Sequence, residues 1–100
     1  MLYPLMTFPD ATEMTFSKVV KIQKKSYFDV YFERWNDKRN DFDALQVRLP
    51  DCRIVMEAGF NKKEVEYFVK GAKYLEKTML ALIPEYEKGK IKINAGCRFS

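Results

Sequence analysis

The 100-residue chain is 47% hydrophobic and 15% aromatic, which excludes wholesale disorder and predicts one domain, residues 1–100, with a packed core. Its 18 Lys and Arg against 14 Asp and Glu give a net charge of +4, which permits contact with nucleic acid or an acidic protein and requires neither. The absence of histidine excludes histidine-based activation of a nucleophile and histidine metal ligation.

The N-terminal stretch lacks the basic region and unbroken apolar run that mark a secretory signal. No segment approaches the ~20 apolar residues that a membrane span needs. We therefore expect a cytoplasmic protein with no membrane partner. In that reducing compartment, Cys52 and Cys97 are expected as free thiols.

Turn residues divide the first half of the chain into short extended runs. The predicted strands are 13–22, 27–35, 41–49 and 53–58, with a further strand near 2–8. Because the connections are short, these runs predict an antiparallel β-meander of four to five strands.

Period-two alternation predicts that one face of this sheet is apolar. The residues assigned to that face are Met14, Phe16, Val20, Ile22, Phe28, Val30, Phe32, Leu45, Val47, Leu49, Ile54, Met56 and Ala58. Such a face must be covered by another element of the chain.

A C-terminal helix supplies the expected cover. Asn61 is a good N-cap, and Glu64 can complete a capping box with it. Apolar residues then recur at three- and four-residue spacing, which predicts one helix of about twenty residues. They are Val65, Phe68, Val69, Ala72, Leu75, Met79, Leu82 and Ile83. Pro84 is expected to end or kink this helix, and one long helix on one face of the sheet is an α+β fold.

The C-terminal stretch 85–100 alternates weakly at Ile91 and Ile93. Two predictions stay open for it: a final edge strand, or a loose basic tail.

The sequence offers no pattern typical of a catalytic or cofactor site. Two distant cysteines do not form a zinc site, and no glycine-rich phosphate loop occurs. Asp37, Asp41 and Asp43 lie near one turn, but Lys38 and Arg39 among them favour a solvated loop over a cation site. We therefore expect no enzymatic activity, no metal and no cofactor.

Aromatic residues occupy both sides of the predicted strand 27–35. Tyr27, Tyr31 and Trp35 alternate with core residues and so lie on the side that the helix leaves uncovered. Tyr and Trp are enriched at the centres of interfaces, so we expect these residues, with Arg48, to contact a protein partner. The sequence does not identify that partner, and we also expect the chain to form a homodimer, since dimerisation would stabilise so small a domain.

Two alternative roles of this outer face stay open. In one, the N-terminal segment with Tyr3 and Phe8 folds back over it. In the other, its aromatic rings stack the bases of single-stranded nucleic acid. The charges assigned to this face balance, which argues against nucleic acid. They are Lys21, Arg48 and Arg53 against Asp29, Glu33 and Glu57.

The predicted helix carries a basic stripe of Lys63, Lys70, Lys73 and Lys77. A solvated face is the ordinary interpretation of such a stripe, and nucleic-acid contact is the alternative function. A neighbouring strip contains Tyr67, Gly71 and Tyr74, and the glycine leaves a notch that a second protein contact could use.

Three stretches of the sequence resemble successive segments of a family of small uncharacterised bacterial proteins. They are Phe32 to Asn36, Phe42 to Pro50 and Glu57 to Phe68. Carriage on a mobile element is one interpretation of that resemblance. It implies a sheet-plus-helix domain and no particular activity. The sequence thus predicts a small non-enzymatic module that binds proteins, as a regulator or inhibitor.

Overall fold

Residues 2–89, which the computed structural model describes, form an antiparallel sheet covered on one side by helices. The strands are β1 (Leu2–Thr7), β2 (Glu13–Ser17), β3 (Val20–Ile22), β4 (Lys25–Asn36), β5 (Asp41–Leu49) and β6 (Arg53–Ala58). The helices are α1 (Lys62–Tyr74) and α2 (Glu76–Glu87). Strand order is β1-β2-β4-β5-β6, and β3 pairs with the start of β4. The predicted α+β antiparallel architecture is confirmed, but the described residues contain six strands and two helices, where four to five strands and one helix were predicted.

The N-terminal segment is an edge strand, and its aromatic residues face the helices. Tyr3 lies opposite Phe16, and the ring of Phe8 packs against Phe32 and Phe68. The N-terminal segment therefore contributes to the core, and the hypothesis that it covers the outer face is wrong.

The predicted strand 13–22 is interrupted. It ends at Ser17, and the chain resumes as β3, where Val20 lies opposite Tyr27. Since directly paired residues share a face, the interruption moves Val20 and Ile22 to the outer side of the sheet. Both side chains are about half exposed, so their assignment to the core is wrong.

A β-bulge at Val55 reverses the faces of β6 from Met56 onward. Met56 pairs with Gln46 and lies on the outer face, and Ala58 follows it there. Ile54 keeps the helix-facing side, but it lies on an edge strand and is half exposed. The predicted core positions Ile54, Met56 and Ala58 are thus wrong, whereas those on β2, β4 and β5 are buried.

The helical apolar pattern is confirmed, but the helix is divided at Leu75. Asn61 and Glu64 form the predicted capping box, in which each side chain accepts a hydrogen bond from the other residue's backbone N–H. The buried helical residues are Phe68, Ala72, Met79 and Ile83. Pro84 lies in the last turn of α2 without ending it, so the predicted end of the helix there is wrong.

The division lets the two helices cover different strands. Helix α1 packs over β5, whereas α2 reaches β1, where the Tyr86 ring stacks on Tyr3 at 4.8 Å. The Tyr86 hydroxyl also donates to the carbonyl oxygen of Pro4. The change of direction at Leu75 allows the helices to contact both β5 and β1.

Part of the predicted C-terminal strand or tail is helical, since Glu85, Tyr86 and Glu87 belong to α2. Residues 90–100, with Ile91, Ile93 and Cys97, lie outside the described residues. Between residues 2 and 89, no helix has the length and apolar character to cross a membrane.

Candidate interaction surfaces

The face of the sheet opposite the helices, here called the outer face, carries an exposed aromatic pair. The rings of Trp35 and Phe42 pack edge to face at 5.2 Å, and the two residues remain 49% and 50% exposed. The indole N–H of Trp35 donates to Asp37 Oδ1 at 2.6 Å, which fixes the ring's position. An oriented, half-exposed aromatic pair is a typical anchor for a protein contact.

The centre of the outer face is held by a carboxylate and its donors. Arg48 donates to both oxygens of Asp29, at 2.9 and 3.0 Å, and Gln46 adds a third hydrogen bond at 2.8 Å. The Arg48 hydrogen bonds in particular lower the pKa of Asp29. Partial burial, followed by the nearby Asp29 charge, raises the pKa of Tyr31. The structure thus places Tyr27, Tyr31, Trp35 and Arg48 on one face, as predicted.

The outer face is polarised along its strands. Glu13 lies directly opposite Glu33 at one end, and Arg48 lies directly opposite Arg53 at the other. Like charges in directly opposed positions destabilise a sheet. Between the two ends runs an uncharged row that contains Thr15, Tyr31, Gln46 and Met56.

Two of the charges predicted for this face lie on the other side. Lys21 pairs with Ser26 and Glu57 pairs with Leu45, which are helix-facing positions. Their places are taken by Glu13 and Lys25, so the face stays electrically balanced. That balance still argues against attraction of a phosphate chain.

The four lysines of the predicted basic stripe do not share one environment. Lys73 forms an ion pair with Glu76 at 2.8 Å, and Lys77 lies on α2, beyond the break. Lys63 and Lys70 border a groove beside α1. The structure therefore brings two of the four lysines to a common feature.

That groove, here called the α1 groove, runs between α1 and the end of β1. Phe8 and Phe68 form its floor, and Tyr67, 63% exposed, stands between two lobes of about 340 and 510 Å³. The larger lobe also contains Met6 and Tyr74, the latter 87% exposed. Its surface is predominantly apolar, which is unusual for an exposed helix side.

Gly71 forms a notch in the wall of this groove. A Cβ atom built at Gly71 would meet nothing within 4 Å among the described residues. Packing within residues 2–89 therefore does not require glycine there, although glycine destabilises a helix interior.

We expect Gly71→Ala to raise the free energy of unfolding by about 0.5–1 kcal/mol, because alanine restricts the unfolded chain and fits the open space. Urea denaturation followed by circular dichroism measures this change. Gly59→Ala is the control with the opposite expected sign. At Gly59 φ is +92°, and a Cβ would collide with the Asp43 carboxylate. Destabilisation by Gly71→Ala would show that the notch serves the fold itself.

A partly buried ionic cluster, here called the Arg34 cluster, joins four segments of the chain. Arg34 contacts Asp43 at 2.9 Å, Glu64 at 2.7 Å and Asp10 at 3.1 Å, and its guanidinium lies 4.7 Å from the centre of the Phe60 ring. The Asp43 side chain is fully buried, so the prediction that it belongs to a solvated loop is wrong.

Asp43 has further partners that compensate its burial. Arg39 donates to it at 2.6 Å, and the Asn36 amide donates to it at 3.2 Å. Burial alone would raise the pKa of Asp43, but the hydrogen bonds from Arg34, Arg39 and Asn36 outweigh it and lower the pKa. The Glu64 hydrogen bond, foremost among several, raises the pKa of Arg34.

The Arg34 cluster was not recognised from the sequence, although a signal was present. Arg34 and Asp43 continue the helix-facing alternation of β4 and β5, and they carry opposite charges. Since these carboxylates are engaged by arginine, the cluster serves to fix α1 to the sheet. Among residues 2–89, no group of three or more typical ligand side chains is arranged to hold a metal ion.

Comparisons with protein-family models, with curated proteins and with solved structures find no match for this chain. The resemblance of its sequence segments to a bacterial family stays a prediction. Its function must be inferred from the chemistry of its own surfaces.

Proposed function

We propose that this protein is a small, non-enzymatic binding module that forms a homodimer through the outer face. One observation carries this proposal: Glu33 and Arg53 lie on either side of a partly exposed, uncharged row, and neither forms an ion pair within residues 2–89. Arg48 is already paired with Asp29, so Glu33 offers the negative charge and Arg53 the positive charge that a partner can match. A second copy of the same face supplies both.

The symmetry of such a dimer follows from the charge pattern. A two-fold axis that lies in the plane of the sheet, oblique to the strands and passing near Gln46, places Glu33 of one copy against Arg53 of its partner. Tyr31 and Met56 of both copies then lie near the axis, and the uncharged row is buried at the centre of the interface. A two-fold axis parallel to the strands would instead bring like charges together.

Nucleic-acid binding through the basic stripe is the weaker alternative. The ion pair of Lys73 with Glu76 already neutralises part of the stripe. We expect no shift of labelled RNA or DNA at low salt. Binding that weakens steeply with salt and is lost in Lys63→Glu/Lys70→Glu would favour this alternative.

Analytical ultracentrifugation tests the proposed function. We expect the wild-type protein to sediment as a dimer and Tyr31→Asp as a folded monomer, because the new carboxylate lies in the centre of the buried row. The matched control is Tyr74→Asp, which introduces the same change at an exposed helix position and should leave the dimer intact. A wild-type monomer at concentrations well above those in the cell would contradict the proposal.

The dimer would act through contacts rather than chemistry, as a regulator or inhibitor of another protein. The lack of histidine and the engagement of the Arg34 cluster carboxylates by arginine support a non-enzymatic role. Carriage on a mobile element remains a prediction from the family resemblance.

A further inference from the structure

We propose that the α1 groove binds an acidic peptide segment of another protein. Apolar side chains of that segment occupy the two lobes, and its carboxylates contact Lys63 and Lys70. The groove lies on the helix layer, so this site is separate from the outer face and remains accessible in the proposed dimer.

The composition of the groove fits peptide anchors. Its exposed members include Met6, Tyr67 and Tyr74, and aromatic residues and methionine are enriched where proteins bury their partners. Phe8 and Phe68 pack edge to face at 5.2 Å beneath them and provide a rigid floor. Along α1 the groove extends for about 18 Å, from the level of Lys63 to that of Leu75, at 1.5 Å per helical residue. That length accommodates a short peptide segment.

The charges at the rim select an acidic segment. Lys63 and Lys70 are two helical turns apart and thus project from the same side of α1, about 10 Å from each other. Neither ammonium group forms an ion pair with any residue in the described part of the chain. The carboxylates nearest the groove, Asp10 and Glu64, are both engaged by Arg34. The rim therefore presents uncompensated positive charge beside apolar surface.

The notch at Gly71 is an independent indication that a bound peptide approaches α1 closely. The glycine costs helix stability and makes no contact that requires it within residues 2–89. A bound segment would use the missing side chain to bring its own backbone or an anchor residue against α1. Occupancy of the groove is thus expected to depend on the size of the side chain at position 71.

A displayed library of random peptides tests the proposal, and each peptide is about twelve residues long, enough to span the groove in a helical or an extended conformation. The library is selected on the wild-type protein and depleted on Gly71→Leu, which adds a side chain at a position that lines the groove and whose Cβ would meet nothing within 4 Å among the described residues. We expect the recovered peptides to combine Asp or Glu with Leu, Phe or Trp. Amide chemical-shift changes on binding should centre on Tyr67 and Gly71.

The recovered peptides are then measured against charge variants. Lys63→Glu/Lys70→Glu should weaken binding by about tenfold or more, as expected when two charge-assisted contacts are reversed. The control Lys24→Glu/Lys38→Glu makes the same change in net charge at two exposed turns and should leave the affinity unchanged. Repeating the measurements in Tyr31→Asp separates this site from the proposed dimer.

Three results would overturn the proposal. One is a library that yields no peptide distinguishing wild type from Gly71→Leu. Another is recovery of basic or uncharged peptides only. The third is equal affinity for both pairs of charge variants.

Discussion

Replacing Phe68 by alanine should lower the free energy of unfolding by about 3–5 kcal/mol, a large part of what a small domain possesses. Phe68 is buried and stacks on Phe32 with ring centres 4.6 Å apart, which confirms the predicted meeting of sheet and helix. Phe8 and Phe60 pack edge to face on the same ring, at 5.2 and 5.3 Å. With Tyr67 as the fourth neighbour at 5.4 Å, the cavity left by the truncation would lie among four aromatic rings.

Urea denaturation measures this loss, with Tyr74→Ala as the control. Tyr74 is an aromatic residue of the same helix but is 87% exposed, so its truncation should change the free energy of unfolding by no more than about 0.5 kcal/mol. Equal losses in the two variants would contradict the position assigned to Phe68.

Arg34→Met should cost about 3 kcal/mol of unfolding free energy at neutral pH. This value is at the lower end of the range for a broken buried pair, because Arg34 is 21% exposed and Arg39 still contacts Asp43. Methionine keeps most of the side-chain volume, so the loss reports chiefly on the ionic contacts that Asp43 and Glu64 lose with Arg34. Lys21→Met, which removes a positive charge from exposed β3, should leave the stability nearly unchanged.

The same cluster predicts acid sensitivity of a definite sign. The pKa values of Asp43 and Glu64 are lowered in the folded protein, the latter mainly by Arg34. Their stabilisation is therefore fully present above the unfolded pKa values of about 4 and is lost as the pH falls through the lower folded values. In Arg34→Met the pKa of Asp43 should rise, so the loss of stability should begin at higher pH. Identical pH profiles for wild type and this variant would show that Arg34 does not set the charge state of Asp43.

The elements that local chemistry determines could be predicted from the sequence. The capping box of Asn61 and Glu64 needs only residues that are close in the chain. The faces of β4 and β5 follow from uninterrupted alternation, so Phe32 and Tyr31 were placed correctly on opposite sides.

The wrong predictions of burial and helix length arise where one extra residue in a strand, or a change in helix direction, interrupts the alternation or the helical spacing. The bulge at Val55 reverses the faces of β6 from Met56 onward, and nothing in that apolar run marks it. The helical spacing continues through Leu75, so the break between α1 and α2 has no signal in periodicity. It reflects the need for α2 to reach Tyr3 on β1.

The aromatic residues of the outer face were predicted from the sequence, whereas the separation of its acidic and basic residues was not. Tyr27, Tyr31 and Trp35 follow from alternation along one strand. The like-charged pairs depend on which residues lie opposite each other across strands, and that register requires the fold. The α1 groove likewise depends on Phe8 meeting Phe68 from a distant part of the chain.

Mixing two charge-reversed variants tests the proposed dimer most directly. Glu33→Arg removes the negative character of the acidic end, and Arg53→Glu removes the positive character of the basic end. We predict that each variant alone is monomeric, because like charges at positions 33 and 53 then meet across the two-fold axis. Sedimentation equilibrium measures this.

The equimolar mixture of the two variants should form a heterodimer. The arginine introduced at position 33 of one copy then lies near the glutamate introduced at position 53 of the other. On the other side of the axis, the wild-type contact of Glu33 with Arg53 is retained. A mixture that stays monomeric while the wild type is dimeric, or single variants that dimerise as well as the wild type, would contradict dimerisation through this face.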